Sequence, residues 1–155
     1  MHEVDKDGMY QSIWDFPENI IDAIKLSENI ALKNEYLDVN NIIIAGMGGS
    51  AIGGDVVYSL IKNEIKIPFV VNRGYDLPAW ASSSTLIICS SYSGNTEETI
   101  SILEKAKSLD AKVIGITTGG VLESLCKSYN FDFVGIPSGL QPRSALAFSF
   151  IPLIY

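Results

Sequence analysis

The sequence predicts a doubly wound α/β domain, three layers deep, with about five parallel strands between layers of helices. Three observations carry that prediction. Short apolar runs recur at Ile42-Ile43-Ile44-Ala45, Thr85-Leu86-Ile87-Ile88-Cys89 and Lys112-Val113-Ile114-Gly115-Ile116-Thr117. Continuous rather than alternating hydrophobicity is the pattern of a strand covered on both faces. Segments with helical apolar spacing lie between these runs, Ile100 to Ala106 among them, and strands that alternate with helices build a parallel sheet. A glycine-rich turn follows the first of these runs and a hydroxyl-rich turn the second, at the strand ends where such sheets hold ligands.

The composition fits one domain with a real core: 155 residues, 47% hydrophobic and 19% charged. A net charge of −7 argues against nucleic acid or an anionic membrane as partner, so an anionic ligand has to be held by a local site. Cys89 and Cys126 fall in apolar runs and read as small buried hydrophobes, not as a disulfide framework. The single histidine, His2, lies in the N-terminal tail, which argues against a histidine-based metal centre or triad. Neither a basic-plus-apolar leader nor an apolar run of about 20 residues is present, and the expected location is the cytoplasm.

Along the chain, residues 1–14 are expected to be loose and residues 15–36 to form an N-terminal helix. Pro17 sits in that helix's first turn, with Asp15 and Glu18 near the positive end of its dipole. The α/β core runs from 42 to 155. Its second strand is Lys66 to Asn72 with Pro68 near the start, and a long connection follows from Arg73 to Ser84. A short helix from Val121 to Ser128 and a fifth strand from Phe131 to Ile136 come after the fourth strand. From Ser144 the chain reads as a helix apolar on almost every face, which one domain would not easily cover and which predicts association.

The candidate site centres on Ser90-Ser91-Tyr92-Ser93-Gly94-Asn95-Thr96. Hydroxyls of Ser91, Ser93 and Thr96 meet free backbone N–H groups where a helix dipole is positive, a combination suited to a phosphate. Gly94 lets the backbone approach the ligand, and Asn95 or Thr96 can cap the helix. An ordinary capped helix start without a ligand is the alternative. The first loop, Gly46-Met47-Gly48-Gly49-Ser50-Ala51, partly matches a dinucleotide fingerprint, but the acid expected about 20 residues on is missing. Arg73 stands there instead and could accept a 2′-phosphate, so NADP binding is a minor reading. Glu97 and Glu98 are explained by the helix dipole, with acid–base chemistry as the alternative. Arg143, in the stiff loop Pro137 to Arg143, suits an oxyanion or a sugar oxygen, or a surface ion pair.

Three stretches, Gly46 to Asp55, Ser91 to Thr99, and Gln141-Pro142-Arg143 with its apolar continuation, together resemble the sugar isomerase (SIS) domain. More narrowly, they resemble the bifunctional phosphoglucose/phosphomannose isomerases, from about Ile42 to Leu153. The resemblance implies a flavodoxin-like three-layer sandwich and a phosphorylated hexose as substrate. It also implies no metal or cofactor, and a homodimer or association with a second SIS domain. By the same resemblance Ser50, Ser91, Ser93 and Thr96 hold the phosphate, and Gly48, Gly49 and Gly94 let the sugar lie against the loops. Arg143 stabilises the enediolate. The family's catalytic glutamate, histidine and lysine belong to a second SIS domain, whereas this chain stops at Tyr155. The expectation is therefore a phosphosugar cradle without its base. A free-standing phosphosugar sensor is the rival reading, although no attached helix-turn-helix is visible.

Overall fold

The computed structural model describes residues 5–6, 8–34, 36–141 and 143–155. His2 and Pro142 lie outside them. The strands are β1 (Asn41–Ala45), β2 (Phe69–Asn72), β3 (Thr85–Ser91), β4 (Lys112–Thr117) and β5 (Asp132–Gly135). All pair in parallel, in the order β2-β1-β3-β4-β5. The helices are α1 (Met9–Trp14), α2 (Phe16–Glu28), α3 (Gly48–Ile61), α4 (Glu97–Ser108), α5 (Gly120–Tyr129) and α6 (Leu146–Phe150), followed by a 3-10 turn over Ile151–Leu153.

Strand alternation sorts the apolar side chains into two layers. Ile43, Ile87 and Val113 point to one face, where they pack with Ile102, Leu103 and Ala106 of α4 and with Leu122 and Cys126 of α5. Leu86, Ile114, Ile116 and Val134 point to the other face, against Ala23 of α2 and Ala147 and Phe148 of α6. Helix α3 shares that second face, since a Cβ on Gly54 would stand 3.1 Å from side-chain carbons of Ile44 and Val71. Each fully buried Ile or Leu contributes about 1.5–3 kcal/mol, which makes these two layers the main source of stability.

Four elements differ from expectation. Met9–Trp14 of the N-terminal stretch is helical. Helix α2 ends at Glu28, well before residue 36. The reason lies far away in sequence: the Asp132 carboxylate accepts the backbone N–H groups of Lys33 and Asn34, both at 3.0 Å, and the Tyr36 hydroxyl at 2.7 Å. A segment pinned through its backbone donors to β5 cannot also donate them along a helix. Strand β3 continues through Ser91, which pairs with Thr117, so Ser90 and Ser91 belong to the sheet and the turn begins at Tyr92.

The fourth difference is the C-terminal segment, which its own domain covers in large part. Ala145, Ala147, Phe148, Ser149 and Ile151 are buried. Gly53 of α3 permits the contact, because a Cβ there would sit 2.7 Å from the Ser149 carbonyl oxygen. Exposure of large apolar groups in this segment is confined to Ile154 and Tyr155. Among the described residues no helix is long and apolar enough to cross a membrane.

Candidate functional site

Helix α3 leaves β1 on one face of the sheet and α4 leaves the neighbouring β3 on the other. The two connections diverge, and a crevice opens at the carboxyl ends of β1 and β3, the switch point of this strand order. There a cleft of about 270 Å³ is lined by Met47 to Ser50 of the first loop and by Tyr92, Ser93 and Thr96 of the second. A larger cleft, about 520 Å³, lies between α2 and the C-terminal segment over Ile88, Ile114 and Val134. That one is walled mainly by aliphatic groups, and the hydroxyl of Ser27 in its lining is spent on the Ala23 carbonyl at 2.8 Å. Convergent polar donors belong to the smaller cleft.

The second loop is held in one shape by local bonds. Ser91 Oγ lies 2.8 Å from Thr96 Oγ1 and also accepts the Gly94 N–H at 3.1 Å. Ser93 Oγ accepts the Asn95 N–H at 3.2 Å. Thr96 occupies the N-cap position of α4, yet the helix has no side-chain cap bond because the threonine hydroxyl faces Ser91 instead. Nor does Asn95 cap α4: its Oδ1 accepts the Val121 N–H of α5 at 3.1 Å. The first-turn N–H groups of α4 have no intrahelical acceptor, so the dipole's positive end opens on the cleft. Helix α3 likewise starts without a side-chain cap, at Met47, with Gly48 and Gly49 partly or fully exposed and Ser50 buried.

The turn rests on the β4–α5 connection. The Tyr92 carbonyl accepts both the N–H and the hydroxyl of Thr118, at 3.1 and 2.7 Å, and the Gly94 carbonyl accepts the Leu122 N–H at 2.9 Å. The two segments lie so close that glycine is required on each side. Gly94 has φ +68° and a Cβ there would fall 1.8 Å from the Gly119 carbonyl oxygen. Gly120 has φ +73° and its Cβ would fall 2.6 Å from the Ser93 carbonyl oxygen.

Of the expected site residues, Ser50, Ser93, Thr96, Gly48 and Gly49 line the cleft, and Ser91 reaches it through Thr96. Gly94 is buried beneath the turn and serves its packing on Gly119 rather than lining the cleft. Arg143 is exposed, does not line the cleft and forms no ion pair among the described residues. Glu97 is exposed and Glu98 half-buried, both outside the cleft lining. Glu98 and then Glu97, through their negative charge, raise the pKa of the neighbouring Tyr75 phenol. Arg73 is tied to Asp55 of α3 by an ion pair, and a dinucleotide-binding sheet has the order 3-2-1-4-5-6, not the order here. Both facts weigh against the NADP reading. Burial raises the thiol pKa of Cys89, and that of Cys126 to about 11, so both are inert hydrophobes.

Sequence reasoning missed two groups. The Tyr92 hydroxyl accepts the Leu140 N–H at 2.9 Å, and no local pattern announces a partner 48 residues away. Thr117-Thr118-Gly119-Gly120, the support for the turn, did leave a signal, since paired threonines and glycines directly follow a predicted strand on the same rim.

A parallel sheet in flavodoxin order, with hydroxyls and two uncapped helix starts at its switch point, defines the class of α/β domains that carry a small-ligand crevice at that edge. Residues 35–129 match the SIS domain model, and the chain belongs to the SIS domain family. It is 49% identical over 146 residues to a bifunctional phosphoglucose/phosphomannose isomerase of Caldicellulosiruptor bescii, covering 94% of this chain and 43% of that protein. A protein of the same name from Thermoplasma volcanium is 47% identical over 115 residues, which is 74% of this chain and 36% of that one. Among solved structures, the C-terminal domain of glucosamine-fructose-6-phosphate aminotransferase from Francisella tularensis superposes with a TM-score of 0.72 at 19% identity. The superposition covers 94% of this chain and 45% of that one. The chain spans less than half the length of these curated relatives.

Proposed function

We propose that this chain is the phosphosugar-holding SIS domain of an aldose–ketose isomerase that interconverts glucose 6-phosphate or mannose 6-phosphate with fructose 6-phosphate. The observation that carries the reading is the convergence of two uncapped helix starts and the Ser50, Ser93 and Thr96 side chains on one cleft at the β1–β3 switch point. At about 270 Å³ the cleft falls just below the ~300 Å³ of a small whole-ligand pocket. It suits the phosphate end of a hexose phosphate, with the sugar extending over the rim. Ser50, Ser93 and Thr96 donate to the phosphate oxygens together with backbone N–H groups, and Ser91 contributes through its bond to Thr96. Among the described residues no cation lines the cleft, so in a chain of net charge −7 the anion is held by oriented neutral donors.

The guanidinium of Arg143, exposed and without an ion pair among the described residues, is assigned to the sugar end. A fixed cation beside C1 and C2 stabilises the negative charge of an enediolate, and arginine stays protonated, so it cannot act as the base. Isomerisation also needs a group that moves the proton between C1 and C2. The cleft lining includes neither carboxylate nor imidazole, and we assign that step to residues outside these 155, in a partner SIS domain. The same feature suits the rival reading, a sensor that binds phosphosugar and does not convert it.

Calorimetric titration with fructose 6-phosphate, glucose 6-phosphate, inorganic phosphate and NADP tests the proposal. Saturable binding of both sugar phosphates, tighter than that of phosphate, is expected, with none of NADP. Binding of NADP alone would contradict it.

A further inference from the structure

We infer that Tyr92 is a positioning residue, one that registers the loop carrying Arg143 on the turn that holds the phosphate; the inference rests on the phosphosugar reading of that cleft. Tyr92 is built into both structures. Its backbone is fixed by the two bonds that its carbonyl accepts from Thr118. Tyr92 lines the cleft beside Ser93 and Thr96, and its hydroxyl accepts the Leu140 N–H at 2.9 Å.

The loop beyond β5 has little else to hold it. Ile136 is still tied to the sheet through the Thr117 carbonyl at 2.9 Å, and Ser144 and Ala145 turn back on the Gln141 carbonyl at the start of α6. Between these anchors Pro137, Ser138, Gly139 and Gln141 are exposed. Among the described residues, the bond from Leu140 to Tyr92 is the hydrogen bond that joins this stretch to the body of the domain. Leu140 adds apolar contact with the same core layer that Tyr92 packs on. Arg143 lies three residues further along the chain, in the turn that Ser144 and Ala145 close on the Gln141 carbonyl, so the hold on Leu140 sets how that turn approaches the sheet edge. A ligand seated against Tyr92 and the Leu140 anchor restrict the same residue. Occupancy of the cleft and placement of the arginine are thereby coupled.

The test is Tyr92→Phe, which keeps the ring and deletes the acceptor. Affinities of inorganic phosphate and fructose 6-phosphate are measured by calorimetry, and exchange of the Leu140 amide by NMR, in the unaltered 155-residue chain and in the variant. One hydrogen bond corresponds to about three- to tenfold in an equilibrium constant. The ratio of fructose 6-phosphate affinity to phosphate affinity is expected to fall by about that factor. Leu140 exchange is expected to be faster, and in the variant no longer slowed by fructose 6-phosphate. A merely structural tyrosine would lower both affinities together, and an unchanged ratio overturns the inference even if the variant is less stable. An unaltered Leu140 exchange rate overturns it as well. Failure of the unaltered chain to bind either ligand would overturn the phosphosugar reading itself, an outcome distinguished because it precedes any substitution.

Discussion

The hydroxyls of Ser91 and Thr96, one at the end of β3 and the other at the N-cap of α4, stand 2.8 Å apart. Two hydroxyls carry two protons, and their mutual bond uses one of them. The other proton remains available to an acceptor in the cleft. A threonine that capped its own helix would have spent its oxygen on an N–H of the first turn. Turned towards Ser91, it leaves those N–H groups without a side-chain acceptor.

The clasp between the turn and the β4–α5 connection predicts that Gly94→Ala is costly. The left-handed backbone alone costs about 1–2 kcal/mol for an L-residue, and a Cβ placed 1.8 Å from the Gly119 oxygen forces the two segments apart. A drop in Tm of about 4 °C or more is expected for a domain of this size, with loss of phosphosugar binding. Calorimetric melting and titration check both. A variant that melts and binds like the unaltered chain would show that the close approach is not needed.

Asp132 predicts a pH dependence of stability. Burial by itself would raise its pKa, but the N–H groups of Lys33 and Asn34, the Asn34 amide and the Tyr36 hydroxyl together hold it below the ordinary 3.8. Because the folded carboxyl ionises more readily than the unfolded one, its contribution is complete above that value and is lost as pH falls below it. Asp132→Asn should therefore cost about 1–3 kcal/mol at pH 7, with the difference from the unaltered chain shrinking below pH about 4. Urea unfolding at pH 7 and at pH 3.5 measures it. A difference that does not change with pH would contradict the role of the charge.

How far these features were legible in the sequence depends on how local their causes are. The central strands were readable because both their faces are largely buried, so that Ile42 to Ala45 and Leu86 to Cys89 are apolar throughout. Of the residues that line the cleft, Ser93 and Thr96 were readable from strand–turn–helix order, while Gly48, Gly49 and Ser50 were assigned through the family resemblance. The end of α2 was not, since Asp132 acts on Lys33 across 99 positions. Nor was the cover of the C-terminal segment, because Gly53 looks like any glycine until Ser149 is packed on it. The direction taken by the Asn95 side chain, towards Val121 instead of its own helix, is likewise a tertiary choice.

Turnover is expected to be absent in this chain alone. Glu97 and Glu98 start α4 but lie outside the cleft lining, and Arg143 cannot accept a proton. A coupled assay that forms glucose 6-phosphate from fructose 6-phosphate, run on the purified chain and on Glu97→Gln and Glu98→Gln, should give no isomerisation above background. Robust turnover abolished by either variant would put the base on α4.

The measurement that bears most directly on the whole account is calorimetric titration of fructose 6-phosphate into the unaltered chain, Ser93→Ala and Thr96→Val. A hydrogen bond to a charged group is worth about 1.5–3 kcal/mol, or roughly tenfold or more in affinity. The account predicts binding by the unaltered chain and a loss of about tenfold or more in each variant. Equal affinity in all three proteins would contradict it.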